Sequence, residues 1–325
     1  MKALRTRIYV DGYNLYYGRL KGTRFKWLDI VNLFEQQILP TVLFAPPPDA
    51  VARTMVLLPC ALKYFTAPIL ERLAKGADSV SSQSTYHNAL KQHCGQRIEF
   101  VMGHYSLYPV NLHVVPADDP KRQPRDCPKI LVWKSEEKQT DVNIALHAYD
   151  DARSGDVDHL VIVTNDTDLA PAMKMIRDRC PDVVLGLVIP TKPGAASDAN
   201  EREVNVSLGQ WAHWTRRYIS EDELAKAQLP QVVAPNVRRP SVKPSSWYAS
   251  PENLEKMIDL ARPVLKRRSA TMKWASEENP RMNGMKPIEL IETDAGAKIV
   301  FDYISSYISE KVGEANENFG SGSRS

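Results

Sequence analysis

Four aspartates hold the chemistry open to this sequence. Asp11 follows the β-branched run Arg7-Ile8-Tyr9-Val10, Asp166 and Asp168 follow the apolar run His159–Val163, and Asp141 opens an amphipathic stretch behind Thr140. In open α/β sheets ligands collect beyond the carboxyl ends of strands, so acids delivered there by separate segments can meet at one sheet edge. Without a counter-ion such a cluster forces some members to take up protons, which makes a divalent cation its natural partner. Oxygen-only ligation favours Mg²⁺ or Mn²⁺ over zinc. The chemistry that follows is metal-assisted hydrolysis of a phosphodiester, with no side-chain nucleophile required. Taken singly, each acid has a blander use: Asp141 can satisfy a helix N-terminus, and Asp166 or Asp168 can cap the helix that follows. As a set they favour the metal-binding role.

The elements that must position these acids are legible from period and punctuation. Strands are expected at 7–10, 54–58, 97–101, 159–163 and 183–189, with helical spacing over 27–39, 86–93 and from Thr140 to Gly155, and a further helix through about Arg179. Thr140 reads as the N-cap of the best-defined helix, followed by Val142, Ala145, Leu146 and Tyr149 at i, i+3, i+4, i+7. Strands alternating with helices make an α/β fold, a parallel sheet flanked by helices. Two more extended runs, 111–115 and 129–133, flank the Pro- and charge-rich stretch Pro116–Pro128 and suggest an inserted hairpin.

Three blocks give these acids a family likeness. Tyr9-Val10-Asp11-Gly12-Tyr13-Asn14, Lys138-Gln139-Thr140-Asp141-Val142 and Val163-Thr164-Asn165-Asp166-Thr167-Asp168-Leu169 resemble, in order and spacing, the signature blocks of NYN domains, which are PIN-like nucleases. The resemblance covers roughly residues 1–215 and implies a metal-dependent endoribonuclease acting on RNA, with Asp11, Asp141, Asp166 and Asp168 as the catalytic metal-site acids. It also implies that Asn14 holds the first loop. Around them, Lys138 is a candidate phosphate ligand, Tyr13 a candidate base-stacking ring and Thr66 a candidate polar lining of the cleft. Thr164-Asn165 stands where the family usually has Ser-Gly, and Asn is a residue that tolerates positive φ. Two alternatives stay open. One is an RNA-binding or regulatory protein with little turnover. The other is an NADH-dependent 6-hydroxy-3-succinoylpyridine monooxygenase, because relatives of this architecture carry that label; no G-x-G-x-x-G follows the first strand and no 2-His-1-carboxylate spacing occurs.

Composition bounds the rest. With 43% hydrophobic and 25% charged residues the chain matches an ordinary globular protein, and a formal charge of +3 leaves nucleic-acid binding to local patches. The four cysteines form no C-x-x-C pair, so neither a disulfide scaffold nor a zinc ribbon is written here. The N-terminus lacks an apolar leader core and no later stretch is long enough to span a membrane, so a cytoplasmic protein is expected. Domains are expected at 1–229 (nuclease), 230–251 (a Pro-rich basic linker), 252–316 (a small helical module) and 317–325 (a flexible tail). Residues 252–312, with Trp274 and the run Asn279–Ile291, resemble the toxin-binding domain of Xre/MbcA/ParS-type antitoxins, which implies a protein partner. A helical bundle that merely dimerises fits as well, so a homo-oligomer is compatible with the sequence.

Overall fold

The structure, a computed structural model, describes residues 3–42, 54–194, 206–234 and 240–320. Six strands form one sheet: β1 (Leu4–Asp11), β2 (Met55–Thr66), β3 (Ile98–Met102), β6 (His159–Val163), β7 (Val184–Val188) and β8 (Trp214–Arg216), in the order β3-β2-β1-β6-β7-β8. Every ladder in it is parallel. Parallel strands covered on both faces read as continuous apolar runs, and β6 and β7 are buried along their whole length. The chain steps from β1 to β2 on one side and to β6 on the other, so the order reverses between β1 and β6. That is the crevice where an α/β sheet takes its ligand.

On one face, Tyr9, Phe65, Leu160 and Ile162 pack with Ile144, Ala148 and Ala152 of the Thr140–Ser154 helix and with Met173 and Ile176 of the Ala170–Arg179 helix. Thr140 is the first residue of its helix, not the cap. Gln139 takes the cap position at φ 77°, and Thr140 is buried with its hydroxyl donated to Glu137. A polar pin lies in the sheet itself. His159 receives the Trp214 indole N–H at 3.1 Å and sits 3.0 Å from the Thr6 hydroxyl. Gly186 permits this, because a Cβ there would stand 2.1 Å from the Trp214 ring.

The hairpin is longer than the sequence suggested. β4 (His104–His113) and β5 (Lys129–Lys138) pair antiparallel over ten residues and form a separate two-stranded ribbon. Its base, where apolar alternation gives way to charge, carries no strand signal. β8, only three residues long, is too short to leave a periodic signal, whereas β2 extends well past the run expected for it.

By contacts the chain divides into two compact units, Met1–Arg19 with Thr41–Val80 and Gln96–Ser220, and Leu20–Pro40 with Ser81–Gly95 and Glu221–Ser325. The first holds the sheet. Within the second, Leu254, Met257, Ile258, Met272, Ile288 and Val300 form a core built from the helices Pro251–Leu265, Arg268–Ala275 and Asp294–Gly320. In the same unit the Trp27 indole N–H donates to the Pro230 carbonyl at 2.8 Å, and its ring meets Trp247 edge-on. The segment read as a linker holds a short ladder, Val232–Val233 against Ser241–Val242. Its Pro235, Arg238 and Arg239, and residues 321–325 of the tail, lie outside the described residues. Among the described residues no helix is long and apolar enough to cross a membrane.

Candidate active site

Asp11 ends β1 in register with Phe65 on β2, one step beyond the Val10–Val163 pair that joins β1 to β6. It is 2% exposed, and both oxygens of its carboxylate accept hydrogen bonds from the chain. Oδ1 accepts the Asn14 backbone N–H at 2.9 Å, while Oδ2 accepts the Asn14 side-chain amide at 2.6 Å and the Thr164 hydroxyl at 3.0 Å. Asp11 is therefore also the cap of the Gly12–Leu15 turn, so capping and site chemistry coincide in one residue. Burial pushes its carboxyl above the usual range despite those three donors.

Gly12 is required by close approach. A Cβ on it would meet the Tyr64 hydroxyl at 2.8 Å and the Phe65 carbonyl at 2.8 Å. The buried Tyr64 phenol thereby comes within electrostatic reach of Asp11 and Glu137, and burial holds it firmly protonated.

Thr164 links the two strand ends. Its hydroxyl donates to Asp11 and accepts the Asp166 N–H at 3.1 Å, while Asp166 Oδ1 accepts the Asp168 N–H at 3.0 Å. The hydroxyl at position 164 survives the exchange of Ser for Thr. The neighbouring Asn165 is not among the positive-φ residues, so its tolerance of that conformation is not what makes the turn.

Asp141 lies in the first turn of its helix. Its carboxyl is raised to about 6, first by burial and then by the charges of Asp11, Asp166, Glu137 and Asp168. Four aspartates from three segments thus share one electrostatic neighbourhood, joined by Glu137 at the end of β5. Glu137 is itself raised by burial and by Asp11, and it accepts hydrogen bonds from Thr140 and Tyr105. Tyr105 neighbours Tyr13 and Tyr17, whose rings lie 4.4 Å apart and partly exposed. A tyrosine shelf therefore borders the carboxylates.

The remaining candidates fall elsewhere in role. Lys138 is exposed and ion-pairs with Glu136 on its own ribbon. Thr66, at the end of β2, is buried, and its carbonyl accepts the Gly103 N–H at 2.8 Å. Glu137, Thr164, Tyr105 and Tyr64 were missed by sequence reasoning. Thr164 alone had a local signal, since a hydroxyl two residues before Asp166 suits that turn.

The donor set is oxygen-only and mutually repulsive, which is the chemistry of a hard divalent cation. Among the described residues no group of three His, Cys, Asp or Glu stands close enough to grip an ion as placed. The carboxylates fit such an ion in type and charge, and a ligand-bound rim would have to draw them closer.

A reversing parallel sheet flanked by helices is the α/β architecture of a PIN-like domain, and residues 5–206 match the NYN domain. The chain belongs to the NYN family. It is similar along nearly its full length to the 6-hydroxy-3-succinoylpyridine 3-monooxygenase HspA of Pseudomonas putida (strain DSM 28022 / S16), with 47% identity over 308 residues, 95% of this chain and 96% of that protein. A solved structure of a protein of unknown function from Vibrio parahaemolyticus RIMD 2210633 covers 68% of this chain and 95% of its own, at 19% identity and a TM-score of 0.38.

Proposed function

We propose that the chain is a divalent-metal-dependent endoribonuclease whose rim of Asp11, Asp141, Asp166 and Asp168 holds Mg²⁺ or Mn²⁺. The observation that carries this reading is the gathering of acids from three separate segments at one sheet edge, where the Thr164 hydroxyl ties Asp11 to the Asp166 turn and Asp141 stands within reach of the charges of Asp11, Asp166, Glu137 and Asp168. When bound, the cation supplies Lewis acidity toward a phosphate oxygen and toward water.

The chain's own residues do the positioning. Asn14 and Thr164 fix the Asp11 carboxylate, and Thr164 sets the Asp166 turn against it. The Tyr13, Tyr17 and Tyr105 shelf suits an unpaired base beside the scissile phosphate, with stacking worth about 1–3 kcal/mol per base. RNA with single-stranded regions is therefore the proposed substrate, and Lys138 can reach a phosphate only by giving up Glu136. The likeness of residues 252–312 to a toxin-binding module adds the proposal of a protein partner for the C-terminal helices.

A second reading is favoured by one specific observation. A relative named as a 6-hydroxy-3-succinoylpyridine 3-monooxygenase is 47% identical across 95% of the chain. The tyrosine shelf would then receive a pyridine ring in place of a base, and the acids would serve a hydroxylation that needs an electron donor and dioxygen from outside the chain.

One experiment separates the two. Labelled RNA is incubated with wild type, Asp11→Asn and Asp166→Asn, each with Mn²⁺ and with EDTA, beside a parallel assay for NADH-dependent turnover of 6-hydroxy-3-succinoylpyridine. The nuclease reading expects cleavage by wild type with metal only and a loss of at least about 100-fold in each variant, whose fold is kept because Asp→Asn changes little volume. Cleavage undiminished in both variants overturns the site. Pyridine turnover without RNA cleavage overturns the nuclease reading.

A further inference from the structure

Glu137 is a fifth carboxylate set beside four others. Burial and the charge of Asp11 push its carboxyl up, and it helps to raise Asp141 in turn. A neutral side chain would relieve that repulsion, so what the acid contributes lies in its contacts. They are two hydroxyls from two elements. Tyr105 stands directly opposite Glu137 in the β4–β5 ladder and donates its phenol, while Thr140, the first residue of the Asp141 helix, donates its own hydroxyl.

The connection from ribbon to helix is short and stiff. Between Glu137 and Asp141 stand only Lys138, Gln139 and Thr140. Gln139 is held at φ 77°, a left-handed conformation costly to a residue with a side chain, and Thr140 is buried. The ribbon's other leg crosses at the same point. A Cβ on Gly103 would stand 2.6 Å from the Lys138 carbonyl and 2.7 Å from the Thr140 hydroxyl, so the two legs meet with no room for a side chain. On the far side, Tyr105 borders Tyr13 and Tyr17, whose rings lie 4.4 Å apart. One carboxylate thus grips the tyrosine shelf through one hydroxyl and the Asp141 turn through the other.

Resting on the nuclease reading above, we infer that Glu137 is a positioning residue coupling the two halves of the site. Through Tyr105 it sets a ring on which an unpaired base stacks, and through Thr140 it sets the helix turn that presents Asp141 to the cation. It touches neither base nor cation itself.

Two binding measurements on the full chain test the coupling, beside RNA cleavage by wild type with Mn²⁺. The first is fluorescence anisotropy of a labelled single-stranded oligoribonucleotide in EDTA. Glu137→Ala removes a negative charge, which by itself favours a polyanion, yet is expected to bind about 5-fold more weakly than wild type, the worth of one hydrogen bond. Glu137→Gln, whose amide can serve both hydroxyls, is expected to bind at least as well as wild type. Tyr105→Phe, which keeps the ring, is expected to weaken binding as Glu137→Ala does, and the double variant to be no worse than either, because the two act through one contact. The second measurement is Mn²⁺ titration without RNA. Both Glu137 variants lack the charge, so the hydrogen bonds alone distinguish them, and Glu137→Gln is expected to hold Mn²⁺ at least about 5-fold more tightly than Glu137→Ala. With wild type active, overturning results are equal Mn²⁺ affinities in the two Glu137 variants, oligonucleotide binding by Glu137→Ala as tight as by Glu137→Gln, or an unaffected Tyr105→Phe. A wild type that neither binds Mn²⁺ nor cuts RNA overturns the nuclease reading and takes the coupling with it.

Discussion

At the scale of single residues, the carboxylates do two jobs that oppose each other. Asp11 caps the Gly12–Leu15 turn and Asp166 the Thr167–Leu169 turn, so both stabilise their local backbone, yet burial, reinforced by the neighbouring acids, raises Asp141 to about 6. For a carboxyl held above its unfolded value the sign is fixed. The unfolded chain ionises first as pH climbs, so stability is full below about 4 and declines until about 6. In metal-free buffer, Asp141→Asn is therefore expected to raise stability at pH 7.5 by about 1 kcal/mol, a figure reduced for solvent screening because Asp141 is only half-buried, and to leave it unchanged at pH 3.5. Denaturant titrations at the two pH values check this; a variant no more stable than wild type at pH 7.5 contradicts a carboxyl held above its unfolded value. The aspartates were legible because strand-end positions are where an α/β sheet displays chemistry. Glu137 was not, since it closes a ribbon whose base has no apolar alternation, and only folding brings it beside Asp11.

Among elements, the Thr140–Ser154 helix is held at its far end. Asp151 accepts the Tyr9 hydroxyl, Lys63 Nζ at 2.8 Å and Arg7 at 2.9 Å, binding the helix to β1 and β2, and Lys63 also lies 3.2 Å from His147 Nδ1. Those partners hold the Asp151 carboxyl below its usual range against the cost of burial. Asp151→Ala strands two largely buried cations and is expected to cost about 3–5 kcal/mol, visible as a lower denaturation midpoint with secondary structure kept in the absence of denaturant. A loss of stability smaller than about 1 kcal/mol would show that the three contacts add little. The sequence revealed this helix and the strands it covers through their periods. It was silent on Asp151, because the partners lie about 90 and 140 residues away and no local pattern announces a pairing of that reach.

For the whole molecule, composition drew the boundary in one place and contacts draw it in another. The sequence changes character near Leu229, which suggested a nuclease domain ending there. The compact units instead give Leu20–Pro40 and Ser81–Gly95 to the C-terminal one. Within that unit Trp27 is fully buried, bonded to Pro230 and edge-on to Trp247, and the Leu28 carbonyl accepts the Tyr86 hydroxyl at 2.8 Å. A chain cut after residue 229 keeps Trp27 but loses Pro230 and Trp247. It is expected to unfold at a temperature at least several degrees below the full chain and to show a red-shifted tryptophan emission. Unchanged melting would establish 1–229 as a self-sufficient domain. Discontinuous units of this kind are invisible to compositional reading, because the residues that join them are scattered among those that do not.

The anchoring of Asp151 has a consequence for whatever occupies the rim. Ten residues of helix, about 15 Å, separate it from Asp141, and the far end is bolted by the chain's own cations. Drawing the near end toward a guest therefore has to come from side-chain rotation or a swing about the bolted end, since sliding the whole helix would break the Asp151 ion pairs. In the proposed nuclease, charges that never touch the ion thereby limit how far Asp141 travels to meet it.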